Sequence, residues 1–251
     1  MTSEGDDRPR VIVSVVATAD GRVTLSPAER LLDDDTHRRW RTAWPPDTGE
    51  VLGWRDASIA EHRPTVVLEG SGTFVAPEAG PAELPATTAE TAELHADFLP
   101  RRTPRWFAVV DGRGRVPWTH TGDAETSLLV LTCRDTPLPY LADLRRREIP
   151  YLVAGSGRVD LAGALGRLRT RLGAGCVLSE AGGGLNGALL RAGLVDELHI
   201  VTVPALVGGL GTPSVADGPP LPPGALPVRL RTDGVRVGAR GTVWARYTVV
   251  R

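Results

Sequence analysis

Apolar residues fall along this chain in two patterns. Arg10–Ala17 (RVIVSVVA), Thr65–Glu69, Trp106–Val110, Ser127–Thr132, Tyr151–Ala154, Gly175–Ser179 and His199–Val203 are short, nearly continuous apolar runs rich in β-branched residues. That is the pattern of strands buried on both faces, as in a parallel sheet. Between them the period changes to that of helices. Leu161, Leu165, Leu168 and Leu172 form one apolar stripe. Pro139–Arg147 and Leu185–Ala192 read as two further helices, the second closed by Gly193. Near the start, Ser26-Pro27-Ala28-Glu29 looks like a helix N-terminus, and the helix runs through Trp44 until Pro45-Pro46 stops it. Short helices are predicted over 54–62 and 88–96. The last segments, 228–231 and 236–250, alternate loosely around Gly238 and Gly241, as in an antiparallel pair. Strand–helix alternation followed by this pair predicts an α/β fold with a mostly parallel sheet.

Residues 1–9 read as a disordered tail and residues 10–251 as one domain. Residues 76–105, rich in Pro, Ala, Thr and Glu, read as an insertion. The chain has 251 residues and a net charge of −1, so composition points to neither nucleic acid nor membrane as a partner. All 29 basic residues are arginine, which removes lysine Schiff-base and P-loop chemistry. Cys133 and Cys176 sit far apart in apolar runs, which suits core packing in a reducing, cytoplasmic setting. The five histidines are scattered and form no zinc motif, so no metal is expected. The start, MTSEGDDRPR, lacks the apolar core of a signal peptide.

The densest candidate chemistry lies in Gly175–Gly211. A buried strand ends at Glu180; Gly182, Gly183 and Gly184 follow, and a short helix begins. Glycines admit a ligand close to the backbone, and a helix N-terminus offers free N–H groups to phosphate. Gly182, Gly184 and Gly187 formally satisfy G-x-G-x-x-G, but the next strand ends in Thr202-Val203-Pro204, without the acid that a Rossmann unit needs for the ribose. The expectation is therefore a pyrophosphate site over Gly182–Ala188 outside the Rossmann frame. Asp20 and Glu180 end separate strands and are candidate catalytic carboxylates, able to hold the N–H edge of a heterocycle or orient a water. Arg113 and Arg134 follow neighbouring strands and are candidates for a ribose 2′-phosphate.

The run Glu180-Ala181-Gly182-Gly183-Gly184-Leu185-Asn186-Gly187-Ala188-Leu189-Leu190, then Ala192-Gly193-Leu194-Val195-Asp196-Glu197-Leu198 and Pro204–Gly209, closely resembles the riboflavin-biosynthesis pyrimidine reductases. Ala17–Gly21, Gly70–Thr73 and Val110–Val116 are similar to further turns of that family, in the same order. The resemblance implies a dihydrofolate-reductase-like three-layer fold and a homodimer. It implies NADPH along Gly182, Gly183, Gly184, Leu185, Asn186, Gly187 and Ala188, with Thr73 and the backbone near Val16 also on the cofactor, and Glu180 on the substrate heterocycle. It further implies hydride transfer with little protein acid–base chemistry.

The chain departs from the family on the substrate side. Ala76-Pro77-Glu78 replaces an Asp-Asp-Pro run, Glu61 stands where an arginine is usual, with Arg63 nearby, and the loop from Gly21 to Ser26 is short. The leading expectation is an NADPH-dependent reductase of a small heterocycle or imine. The riboflavin-pathway 5-amino-6-(5-phosphoribosylamino)uracil reductase is the second, and a non-catalytic NADP(H)-binding protein the third.

Overall fold

The computed structural model describes residues 7–76 and 78–251, so most of the predicted N-terminal tail and Pro77 of the Ala76-Pro77-Glu78 run lie outside the described residues. The described chain divides into two compact units. One holds Thr65–Val177; the other holds Arg10–Pro64 and Leu178–Arg251.

The first unit contains four parallel strands, β2 (Val66–Gly70), β3 (Arg105–Val110), β4 (Thr126–Thr132) and β5 (Tyr151–Val153), in the order β5-β4-β3-β2. Its helices are α3 (Thr91–Leu94), α4 (Leu138–Arg146) and α5 (Leu161–Leu172). The second unit orders the end of β6 (Cys176–Ser179, with the division falling after Val177), β1 (Arg10–Thr18), β7 (Glu197–Val203), β9 (Val243–Val250) and β8 (Arg229–Val237). There β1 pairs with β7 in parallel, and β9 joins β7 and β8 antiparallel. Its helices are α1 (Asp34–Thr42), α2 (Thr48–Ala60) and α6 (Gly183–Arg191). The α/β class, the mostly parallel pairing and the antiparallel C-terminal strands all follow the sequence pattern. β1 is buried along nearly its whole length, as a continuous β-branched run requires.

The boundaries differ where local chemistry overrides pattern. Helix α1 starts at Asp34, not at Ser26, because the Asp33 carboxylate accepts from the amides of Asp35 (3.0 Å) and Thr36 (2.9 Å). An aspartate cap followed by Asp34 and Asp35 in the first turn outcompetes the Ser-Pro signal. Helix α2 begins at Thr48, six residues before the predicted start, directly after the double proline. The 228–231 segment extends into one strand, β8, because the bulge at Asp233 absorbs the residue that breaks the alternation.

The Pro/Ala-rich insertion is packed. Its helix is the single turn Thr91–Leu94, whose Leu94 is 1% exposed. Phe98 and Tyr151 exchange backbone hydrogen bonds at 2.9 Å, and Asp97 Oδ1 accepts from the Val153 amide at 3.0 Å. The segment thereby covers the outer edge of β5, which would otherwise leave strand N–H and C=O groups unpaired. Leu84 and Phe98 pack on the core around Val109, Val130 and Leu141.

Within the second unit, a buried polar network ties β7 to β9. Trp244 Nε1 donates to His199 Nδ1 at 3.3 Å, so the ring proton sits on Nε2, which donates to Glu197 Oε1 at 2.7 Å. Arg10 closes the network on Glu197 Oε2 at 2.6 Å. Burial alone would raise the Glu197 carboxyl, but the hydrogen bonds from His199 and Arg10, with the Arg10 charge, outweigh it and lower the pKa to about 2 from an ordinary 4.5. Because the folded value lies below the unfolded one, the stabilisation is fully present above pH 4.5 and is lost as pH falls through 2. We predict that Glu197→Gln removes about 2–3 kcal/mol at neutral pH and flattens the loss of stability between neutral and strongly acid pH. Urea midpoints measured over that range check this; a variant with the wild-type acid limb would refute it.

Candidate active site at the strand exits

β6 leaves the sheet at Ser179 and reaches α6 through Glu180-Ala181-Gly182. A buried clamp fixes this passage. Ser179 Oγ donates to Asn186 Oδ1 at 2.9 Å, and Asn186 Nδ2 donates to the Ala181 carbonyl at 2.7 Å. Asn186 is fully buried, so its side chain fastens α6 to β6 and does not face outward.

The glycines divide into two kinds. Gly182, the N-cap of α6, and Gly184 are exposed, and a Cβ added to either would meet no atom within 4 Å. With no side-chain cap from Gly182, the first-turn amides of α6 end beside these two open positions. That is the arrangement an anionic oxygen would occupy. Gly183 and Gly187 are buried, and a Cβ there would run into Asp217, at Gly183 into the Ser214 carbonyl as well. These two are glycine because the chain itself fills the space. Leu185 and Ala188 are half-buried on the same helix.

The segment that fills it is a strap over 205–217. Asp217 donates its amide to the Gly183 carbonyl at 2.8 Å and accepts from Ser214 Oγ at 2.7 Å. Arg191 on α6 holds the Asp217 carbonyl at 2.9 Å. Farther along, Arg22 Nη1 donates to the Thr212 carbonyl at 2.6 Å, and the Val215 amide to the Gly21 carbonyl at 3.1 Å. Sequence reasoning missed Asp217; its only signal was the Ser214-x-x-Asp217 spacing, which suits a self-closing loop.

Asp20, expected as a catalytic carboxylate, is engaged by the chain itself. Its Oδ1 accepts from Thr18 Oγ1 at 2.5 Å, and its Oδ2 from the Gly208 amide at 2.7 Å. The Thr18 hydroxyl chiefly, with the strap amides, lowers its pKa to about 2. The group is ionised at neutral pH, has no proton to give, and latches the start of the strap to the β1 exit.

Glu180 has a different environment from Asp20. Its side chain opens to solvent yet is ringed by enough protein for desolvation to raise its pKa, against the lowering pull of Arg55 and with a further raise from Asp56. Arg55, on α2, was not singled out in the sequence. Its side chain is only 13% exposed and pairs with Asp56 at 2.7 Å. Arg63, the expected stand-in for the missing arginine, sits at positive φ (48°) and its amide closes the end of α2 on the Ala60 carbonyl. Val16 lies in β1 opposite Val201 and packs beside Val51 and Trp244.

The other unit carries Thr73 and Arg113. β2 ends in a single 3-10 turn, Ser71–Thr73, and Thr73 Oγ1 donates to Glu69 Oε2 at 2.8 Å, leaving its lone pairs as acceptors. The turn is pinned by Arg115, also overlooked in the sequence, which donates to Ser71 Oγ at 2.7 Å and the Ala76 carbonyl at 2.9 Å. Asp111, 1% exposed, receives the amides of Arg115 and Val116 (2.8 and 2.9 Å) and the Tyr140 hydroxyl (3.0 Å), shaping the β3 exit. That exit leaves Arg113 exposed while Arg115 is buried, and burial and the Arg113 charge lower the Arg115 pKa.

Among the described residues no helix is long and apolar enough to cross a membrane. The profile of the family described as the RibD C-terminal domain matches residues 9–244. The 2,5-diamino-6-ribosylamino-4(3H)-pyrimidinone 5′-phosphate reductase of Archaeoglobus fulgidus is 29% identical over 84% of this chain and 87% of its own length. Among solved structures, RibD of Acinetobacter baumannii matches 98% of this chain with a TM-score of 0.63 at 19% identity, and this chain spans 59% of its length. A pyrimidine reductase-like protein of Corynebacterium diphtheriae matches 97% of this chain and 92% of its own, with a TM-score of 0.60 at 18% identity. Matched along nearly all of its length, the chain belongs to the RibD C-terminal domain family and is an oxidoreductase of the riboflavin-biosynthesis pyrimidine reductases.

Proposed function

We propose that this protein is the riboflavin-pathway reductase of a ribosylaminopyrimidine 5′-phosphate, using NADPH. The observation that carries the reading is the near full-length likeness to the archaeal 2,5-diamino-6-ribosylamino-4(3H)-pyrimidinone 5′-phosphate reductase. It reverses the order of the expectations, placing the pathway enzyme ahead of a general imine or heterocycle reductase. Loss of individual family contacts at Glu61 and Ala76-Pro77-Glu78 does not outweigh a match over 84% of the chain.

The residues fit a dinucleotide. The uncapped first turn of α6, open at Gly182 and Gly184, takes the pyrophosphate on backbone N–H groups, with Leu185 and Ala188 on the same helix. Gly183, Gly187 and Asn186 serve the cofactor indirectly, by fixing where that turn stands. Thr73 and the Val16 backbone are further contacts, and exposed Arg113 takes the 2′-phosphate. Bound NADPH supplies the hydride for a C=N or C=O carbon of the substrate. Glu180 accepts from the N–H edge of the pyrimidinone, and Arg55, beside it in charge, replaces the missing arginine in balancing that carboxylate. With Asp20 held ionised, the protein contributes position and exclusion of water more than proton transfer. The working form is a homodimer in the cytoplasm.

NADPH oxidation is expected with 2,5-diamino-6-ribosylamino-4(3H)-pyrimidinone 5′-phosphate, its deaminated uracil counterpart being the comparison substrate. Binding of NADPH without oxidation on either pyrimidine would overturn the reading in favour of a non-catalytic binder. Gly184→Asp is expected to weaken NADPH binding at least tenfold, about 1.4 kcal/mol or more, with the thermal midpoint unchanged. Gly183→Ala, by contrast, should lower the midpoint, because its methyl displaces Asp217. Fluorescence titration beside thermal melts separates the two; equal melting losses would undo the division of the glycines. Arg113→Ala should weaken NADPH by roughly tenfold and NADH hardly at all; equal losses would put the 2′-phosphate elsewhere.

A further inference from the structure

Among the described residues of the second unit, four arginines are half-buried, and three of them have partners. Arg22 donates to the Thr212 carbonyl at 2.6 Å, Arg55 pairs with Asp56 at 2.7 Å, and Arg246 donates to Ser58 Oγ at 3.1 Å. Arg30 is the exception. Its Nε is buried without a hydrogen bond, and among the described residues its guanidinium has no acceptor and no counter-ion. The acids on either side of it are committed elsewhere, Glu29 to Arg39 and Asp33 to the amides that open α1.

We propose that Arg30 is the receptor for the 5′-phosphate of the substrate. The inference rests on the reading of this protein as a reductase of a phosphorylated ribosylaminopyrimidine, and adds to it the residue that selects the phosphate.

A guanidinium cannot shed its proton, so half-burial without a partner leaves a partly desolvated charge. An anion docked there offsets that cost, and a phosphate monoester matches the planar fork with two parallel hydrogen bonds. The position suits a substrate. Thr24, itself buried, donates to the Glu29 carbonyl at 3.2 Å and so folds the residues before Arg30 back on themselves. The Val23 amide donates to the Pro213 carbonyl at 3.0 Å, and Pro27 stands 3.8 Å from where a Cβ on Gly211 would be. The segment from the β1 exit to Arg30 therefore lies along the strap, whose far end holds Gly183 in the first turn of α6. In the reading above the cofactor's phosphates have their own receptors, the α6 amides and Arg113, which leaves Arg30 for the substrate.

Calorimetric titration of the purified full chain with ribose 5-phosphate, beside ribose and at low ionic strength, tests this. The wild type is expected to bind the phosphorylated sugar and not ribose. Arg30→Ala and the longer Arg30→Gln should each weaken that binding by about tenfold or more, with an unchanged thermal midpoint. Arg38→Ala, which removes an exposed cation paired with Asp35, should bind as the wild type does. In turnover, Arg30→Ala should raise KM for the pyrimidinone 5′-phosphate by about the same factor and leave kcat and NADPH affinity as they are. A wild type that does not bind ribose 5-phosphate, or Arg30 variants that bind it equally well, would overturn the site. An equal loss of NADPH affinity would give Arg30 to the cofactor and overturn the assignment to the substrate. Binding that depends on Arg30 in a chain that reduces neither pyrimidine would keep the phosphate site and overturn the reductase reading alone.

Discussion

Continuous apolar strands must be covered on both faces, and that constraint arranges everything else in each unit. Parallel strands all exit at one end, so the chemistry of each unit gathers in its exit turns. In one unit these are Gly70–Thr73 after β2 and Asp111–Arg115 after β3. In the other they are Thr18–Gly21 after β1, Glu180–Gly184 after β6 and the strap after β7. The turns are held by side chains on backbone groups. In three of these turns a side chain close in sequence, Asp111, Asp20 or Asn186, satisfies backbone groups.

Much of this was legible in the sequence. The strands appeared within a residue or two of their positions because a β-branched apolar run has few alternatives. The glycine turn was visible as a strand, small residues and a helix. Three classes of fact were not legible. Helix starts depended on which of two caps won, Ser26 or Asp33, a contest of fractions of a kilocalorie per mole that pattern does not rank. The packing of the insertion depended on Leu94, Phe98 and Asp97 reaching β5, contacts that local composition does not encode. The roles of Asp20, Arg115 and Asp217 depended on partners distant in sequence: Gly208 for Asp20, Ser71 for Arg115 and Gly183 for Asp217.

The carboxylates show how environment assigns roles to one functional group. Asp20 and Glu197 are both held near pKa 2, the first by a hydroxyl and two amides, the second by His199 and Arg10. Both are structural anions. Glu180 moves the other way because burial dominates and Arg55 only partly offsets it.

The strap has a consequence for how such sequences are compared. Two of the turn's glycines, 183 and 187, are fixed by Asp217 and Ser214 whether or not a dinucleotide ever binds. A relative that abandoned its cofactor would still be held by selection to glycine at both. Drift would show first at 182 and 184, where nothing of the chain's own stands in the way. Loss of glycine at that outer pair, with the inner pair intact, is the mark by which a retired member of the family would be recognised.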